Sequence, residues 1–340
     1  MSFAAALLFW FGFLGLAAVW LVYPAALWLL ARHVSDPPVP TGGAAGSVTV
    51  LIAAHNEASN IAARLDNIFE QETKKLLSVL VALDHCTDDT KHILENRPAM
   101  HPDQQVAWFE TTQRGKAMAH NQAMGIIKTD IVVFTDADTI FENGFLDHIC
   151  GVFTDPRVGY CSGVLSWRGK NTPEGASNFP LYWRFETWLR IMESRLGICA
   201  VGTGACSAMR PQLFVPLHPT SDSDCSTPLD VVHQGYLCRI VPDARAIDFV
   251  ADTVRGEFQA RVRMTAKNFR NTIASWRWRE GIVNKPAVTL GIVLHKIGRW
   301  LAPYLALSLL IGGTILVLHG AGPFVASVTL VGYAGLVAAG

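Results

Sequence analysis

The sequence predicts an α/β fold, a mostly parallel sheet with flanking helices, to which transmembrane α-helices are added at both ends. Three observations carry this. From Ser47 to about Asp248, apolar runs of strand length alternate with helical patterns, the order expected of strand–helix–strand units. Charged residues make up only 16% of the 340-residue chain, below the ~25% usual for soluble domains. Both Phe3–Ala31 and Leu301–Gly340 lack Asp, Glu, Lys and Arg, and each exceeds the ~20 apolar residues a bilayer-crossing helix needs.

In chain order, residues 1–32 read as one transmembrane helix. A cleavable signal would carry a basic start and an apolar run of only ~7–15 residues, so this segment reads as a retained anchor. Trp10, Trp20, Tyr23 and Trp28 suit interfacial positions. Residues 47–250 form the α/β domain. Within it Ser47–Ala54, Leu77–Leu83 and Ile131–Thr135 read as strands buried on both faces. Ala58–Phe69, Asp89–Glu95 and Lys116–Lys128 carry apolar residues at helical spacing. Residues 251–299 read as amphipathic interfacial helices. Residues 300–340 hold two further apolar helices, about Leu301–Leu318 and Pro323–Gly340, joined by "HGAG". The chain stops inside an apolar stretch, the pattern of a sequence that continues. Arg32 follows the first span while Lys296 and Arg299 precede the second, which places the α/β domain on the cytoplasmic side of the plasma or inner membrane.

Several classes are excluded. A net charge of zero argues against a nucleic-acid binder that relies on a basic field. Seven cysteines without a CxxC pair suggest neither a zinc site nor a disulfide framework. Neither GxGxxG nor GxxxxGK[ST] occurs, so dinucleotide and P-loop chemistry lack their fingerprints. A transporter would place ionisable groups inside its spans, and only His319, at an edge, approaches that.

In an open sheet of this kind ligands bind beyond the carboxyl ends of the strands. Those ends read "AHNEAS", "DHCTDDT" and "TDADT". Together they gather Glu57, Asp84, Asp136 and Asp138, a hard oxygen-donor set suited to a cation and a hydrogen-bonded ligand. Helix capping by Asn56, Thr87 or Asp88 is the plainer role for part of this polarity. Asp136 and Asp138, two residues apart, face the same way on a strand. Arg114 and Lys116 stand at the start of a helix, where anions are attracted; a solvated basic turn is the plainer reading of this feature alone.

The stretches "VTVLIAAHNEASNI", "VALDHCTDDT", "RGKAMAHNQAM", "VVFTDADT", "GTGACSAMRPQLF" and "DSDCSTPLDVVHQGY" occur in the order seen in family 2 glycosyltransferases of GT-A fold. The chain resembles the membrane-bound branch that contains cellulose, hyaluronan and poly-N-acetylglucosamine synthases, from about Val48 to Arg263. The resemblance implies that Ala54, Asn56 and Glu57 lie against the nucleotide, that Asp84 meets a uracil ring, and that Lys116 stands near base and phosphates. It implies that Asp136 and Asp138 form a DxD motif, Asp138 holding Mg2+ or Mn2+ on the diphosphate and Asp136 facing the nucleotide. Gly202, Thr203 and Gly204 match a loop beside the acceptor sugar.

By the same resemblance Asp224 is the general base, with Asp222 in reserve and Ser223 where the family has an acid. A helix start at Ser226 or Thr227 with Pro228 in the first turn is the competing reading of that stretch. Arg261 and Arg263 match the arginines of a QRxRW motif, with Ala260 and Met264 in place of its Gln and Trp; arginine suits phosphate, and a helix lying on anionic lipid is the other reading. The aromatics from Phe179 to Trp188 and the stretch "SWRWRE" read as interfacial or core packing.

The expected activity is therefore inverting, metal-dependent transfer from a nucleotide-sugar donor, a UDP-sugar first, to a polysaccharide or lipid-linked acceptor at the cytoplasmic membrane face. A non-catalytic nucleotide-sugar-binding subunit is the alternative. Partners expected are the donor, a glycan or lipid acceptor and the lipid bilayer, with a homo-oligomer or accessory subunit if a polymer must cross; nucleic acid is not among them.

Overall fold

The computed structural model describes residues 2–34, 46–71, 73, 76–97, 105–168, 181–221, 223–249, 258, 262, 265, 266, 268, 269, 272 and 285–339. The chain divides into two compact units, Met1–Val34 with Lys285–Gly340, and Ser35–Asn284.

The first unit is helical. Helix α1 (Ser2–Ala17) passes through a π-helical turn (Ala18–Val22) into α2 (Tyr23–Ala31). Pro24 explains the wide turn, because it removes the hydrogen bond that the Trp20 carbonyl would accept in a regular helix. The segment Phe3–Ala31 and a second helix, Pro286–Leu318, are each long and apolar enough to cross a membrane. The second begins fifteen residues before the Leu301 start read from sequence, because apolar side chains continue upstream of the basic residues at 295–299. The two approach backbone to backbone: a side chain on Gly12 would collide with the Leu305 carbonyl, and one on Gly312 with the Phe9 amide. Ser308 Oγ donates to the Leu8 carbonyl at 2.9 Å across the same seam. A shorter apolar helix covers Pro323–Ala339.

The second unit is an eight-stranded mixed sheet with helices. Its strands are β1 (Ser47–Ala54), β2 (Leu76–Leu83), β3 (Gln105–Glu110), β4 (Ile131–Thr135), β5 (Ile140–Phe141), β6 (Val158–Arg168), β7 (Cys206–Met209) and β8 (Leu237–Phe249). Its helices include α3 (Ile61–Phe69), α4 (Thr90–Asn96), α5 (Lys116–Met124), α6 (Phe145–Gly151), α7 (Leu181–Arg195) and α8 (Ser223–His233). The strand order is β3-β2-β1-β4-β7-β6-β8-β5. The first four are parallel, β7 runs antiparallel to β4 and β6, β8 is parallel to β6, and β5 is antiparallel to β8.

Burial on both faces explains the continuous apolar character of the inner parallel strands β1 and β4: every residue of β4 is buried, as are Val48, Val50, Leu51 and Ile52 of β1. Helix α3 closes one face with Ile61, Leu65 and Ile68, each fully buried; truncating any of them to Ala would cost ~2–5 kcal/mol. The parallel register pairs Ala54 with Leu83 and Ile52 with Thr135. As a result Asn56, Asp84 and Asp136 leave the sheet along one edge.

Candidate active site

Two left-handed residues shape that edge. Asn56 (φ 57°) and His85 (φ 53°) follow β1 and β2, a conformation costly for residues other than glycine and typical of sites where geometry is over-determined. Asn56 Oδ1 accepts from the Thr87 amide at 2.7 Å, tying the first two loops together. Asp88 braces them further: its carboxylate accepts from the Ala58 amide at 3.0 Å and the Thr90 amide at 3.1 Å. Hydrogen bonding to Thr90 holds its pKa below the usual carboxylate value. The capping residues and the candidate ligand residues thus share one pair of loops.

Asp84 points inward. Its Oδ2 accepts from the Gly115 amide at 2.9 Å, and His85 Nδ1 lies 3.2 Å from its Oδ1. Gly115 has φ 107°, reachable only without a side chain, and this turns its N–H toward Asp84 at the start of α5. The next residue, Lys116, forms an ion pair with Asp136. Burial opposes ionisation of Asp136, but Lys116, with His120 and Arg64, outweighs it and lowers its pKa. Asp138 is exposed, and its pKa is raised by partial desolvation and by the neighbouring Asp136 carboxylate. Glu57 is raised too, first by desolvation and then by Asp138 and Asp136, against the hydrogen bond from Asn60.

Two charged residues that sequence reasoning missed belong to this edge. Arg64 is 2% exposed, on the stripe Ile61, Arg64, Leu65, Ile68 that α3 turns to the core. Its Nη2 donates to Thr135 Oγ1 at 2.9 Å and its Nη1 to Asn67 Oδ1 at 2.5 Å. Asn67 in turn clamps Phe141, accepting from its amide at 2.8 Å and donating to its carbonyl at 2.9 Å. The acidic loop 136–140 is therefore pinned at both ends from one helix. Burial pulls the Arg64 pKa down to about 9 against the Asp136 and Asp138 charges. The available signal was a lone Arg inside an apolar helical stripe. Asp248, near the end of β8, is pushed up to about 7 by desolvation and then by Asp138 and Asp136. Nothing in the local sequence distinguishes it, because only the fold brings β8 to the acidic loop.

The register also joins the acidic loop to the 202–204 loop, since Thr135 pairs with Cys206. Gly202 N donates to the Asp224 carbonyl at 3.1 Å, and a side chain on Gly204 would collide with Asp224 Oδ1. Helix α8 starts at Ser223, not at Ser226 or Thr227, and Pro228 lies inside it. Pro228 has no N–H to give the carbonyl four residues back. That carbonyl belongs to Asp224, and the Gly202 amide takes it up. Farther along, Cys225 Sγ donates to Asn268 Oδ1 at 2.9 Å. Asp222, Arg261 and Arg263 lie outside the described residues, as does Ser275–Glu280.

Among the described residues no group of three or more His, Cys, Asp or Glu converges as a metal cage. The donor set still fits a hard divalent cation that is shared with a ligand, because such ions commonly take one or two carboxylates and complete their shell with phosphate oxygens and water. Asp138, exposed and acidic, is the carboxylate open to such an ion.

Residues 49–215 match the family model for glycosyl transferase family 2. An N-acetylglucosaminyltransferase of Rhizobium meliloti (strain 1021) is 24% identical over 318 residues, covering 86% of this chain and 70% of that protein. A poly-beta-1,6-N-acetyl-D-glucosamine synthase of Staphylococcus aureus (strain COL) is 25% identical over 227 residues, covering 64% of this chain and 53% of its own. The mannosyltransferase PcManGT from Pyrobaculum calidifontis, solved with GDP-Man and Mn2+, superposes with a TM-score of 0.73 at 25% identity, over 96% of this chain and 91% of its own. GT-A enzymes typically use a divalent metal. The mixed sheet, its carboxylate-lined edge and these matches together identify the chain as a glycosyltransferase that carries a family 2 domain of GT-A-like fold.

Proposed function

We propose that the chain is an inverting, metal-dependent glycosyltransferase that moves a sugar from a nucleotide diphosphate to a polysaccharide or lipid-linked acceptor at the cytoplasmic face of a membrane. The observation that carries this reading is the β4–β7 register, which sets the Asp136–Asp138 loop beside the Gly204–Asp224 contact. Donor and acceptor chemistry need those two sites next to each other.

Asn56, Glu57 and Asp84 would form the base-side wall, with Ala54, fully buried at the end of β1, supporting that loop from within the sheet, and with Lys116 and Asp136 toward the diphosphate. Arg261 and Arg263, by the motif they resemble, would add donors to the diphosphate. Asp138 would hold Mg2+ or Mn2+, which when bound neutralises charge on the leaving diphosphate. The acceptor hydroxyl approaches the anomeric carbon from the side opposite the diphosphate. Asp224, or Asp222 in its place, takes the hydroxyl proton as the new C–O bond forms. The bond to the β-phosphate breaks, its electron pair leaves with the nucleotide, and the configuration inverts. Gly202 and Gly204 let the 202–204 loop close on Tyr160 and Asp224, and that loop, with Thr203, would border the acceptor sugar. A UDP-sugar is the first choice of donor, and the GDP-Man bound to the structural neighbour makes GDP-mannose the arm to run beside it. The apolar helices Phe3–Ala31 and Pro286–Leu318 would anchor the enzyme, with Arg32, Lys296 and Arg299 holding the second unit on the cytoplasmic side.

The test is turnover by the full chain in detergent with UDP- and GDP-sugars, in Mn2+, Mg2+ or chelator, with products sized. Asp224→Asn should lose ~10²–10⁴-fold in rate, the usual worth of a general base. Asp138→Asn should lose turnover and metal dependence together while still binding nucleotide. Undiminished activity in chelator would sink the metal assignment.

A further inference from the structure

The loop at 202–204 meets three different partners with three successive residues. Gly202 faces the Tyr160 hydroxyl and Gly204 faces the Asp224 carboxylate, each too close for a side chain. Thr203 turns away from the site: its Oγ1 accepts from Arg190 Nη1 at 3.3 Å, and its amide donates to Ser162 Oγ at 3.0 Å. Arg190 is held by Glu186, one helical turn earlier on α7, through an Nε–Oε1 bond of 2.7 Å. The pair is well shielded, with side chains 19% and 7% exposed. Helix α7 is itself fixed to β8, since Ser194 Oγ accepts from the Ile240 amide at 2.9 Å and the Ser194 carbonyl accepts from Arg239 at 2.5 Å.

A shielded ion pair is a poor way to gain stability, because desolvation consumes most of the attraction and apolar residues would serve as well. What it supplies is a fixed direction, here a guanidinium aimed at one hydroxyl of the loop. We propose that Arg190, locked by Glu186, is a positioning residue that sets the height of the 202–204 loop through Thr203 and thereby the aim of the Asp224 carboxylate. The inference rests on the proposed role of Asp224 as base. The chain of contact is Glu186, Arg190, Thr203, Gly204, Asp224. Because a misplacement of ~1 Å remote from the chemistry can cost ~10²-fold, the effect belongs in the chemical step and not in donor binding.

The experiment measures single-turnover transfer, affinity for UDP and for GDP by calorimetry, and melting temperature, all on the full chain in detergent. Thr203→Val and Arg190→Met should each slow transfer about 10- to 100-fold while nucleotide affinity stays within about twofold. The double variant should be no slower than the slower single, as expected of one connected unit. Thr203→Ser, which keeps the hydroxyl, should restore the rate. If Arg190→Met does not fold, the Thr203→Val and Thr203→Ser pair decides alone. Transfer at the wild-type rate in Thr203→Val, or losses that multiply in the double variant, overturns the proposal. Asp224→Asn is run alongside: full activity there would fail the base assignment, whereas an inactive Asp224→Asn with a wild-type Thr203→Val would fail the positioning role alone.

Discussion

A carboxyl group with its pKa pushed up to about 7, as at Asp248, makes the folded protein hold a proton that the unfolded chain releases near pH 4. Stability of the metal-free protein should therefore fall as pH rises from about 4 to 7, since the native state binds more protons across that window. Asp136 runs the other way: its pKa is lowered, so its contribution is present above the ordinary carboxylate pKa and is lost on acidification. Asp248→Asn should stabilise the chelator-treated protein at pH 8 by about 2–4 kcal/mol relative to wild type and leave it unchanged at pH 4. Denaturant melts at the two pH values check this, and equal stability of the two proteins at pH 8 would refute it. At this scale the carboxylates Asp84, Asp136 and Asp138 lie at the strand ends where the sequence reading has them, because a strand end shows in a linear pattern; Asp224 was marked by resemblance alone, and the proline-marked helix start read beside it falls inside α8. Arg64 and Asp248 did not show, because their surroundings are made by tertiary neighbours.

Among the elements, α8 shows how a proline can serve a site from inside a helix. Replacing Pro228 with Ala would return an N–H to the helix, and the Asp224 carbonyl would then have two competing donors. Pro228→Ala should raise the melting temperature or leave it unchanged, because a helix-interior proline is unfavourable by ~3 kcal/mol, while slowing transfer about tenfold. A wild-type rate would show that the Gly202 contact survives the competition. Of the parallel strands β1, β2 and β4 were readable because burial on both faces leaves unbroken apolar runs, whereas the part-exposed β3, Gln105–Glu110, was not. The far half of the sheet was not readable either, since β6 is interrupted by Gly159 and Gly163 and β8 carries Pro242, Asp243 and Arg245 through its middle. The aromatic stretch around Trp183 became α7, whose buried Glu186 and Glu193 an interfacial reading did not anticipate.

For the molecule as a whole, the seven cysteines are unoxidised thiols, and all but Cys86 are buried. A thiol reagent should titrate about one group quickly in the native protein and seven in denaturant, and several fast native thiols would contradict the packing. Burial also raises the Cys161, Cys199 and Cys206 thiols, Cys199 to about 12, so thiolate attack adds little speed. The division into an apolar helical unit and an α/β unit was visible in the uneven spread of charge, whereas the backbone-close seam at Gly12 and Gly312 required the structure. The strand order has one further implication, for synthesis. β1 lies between β2 and β4, and Asp130, which closes onto Ser47, is 83 residues farther along the chain. At 5–20 residues per second a ribosome needs roughly 4–17 s to deliver β4 after β1. During that interval the β1 edge is a bare, apolar pairing surface, so slow codons placed between residues 84 and 130 should lower the yield of folded enzyme more than the same codons placed after residue 250.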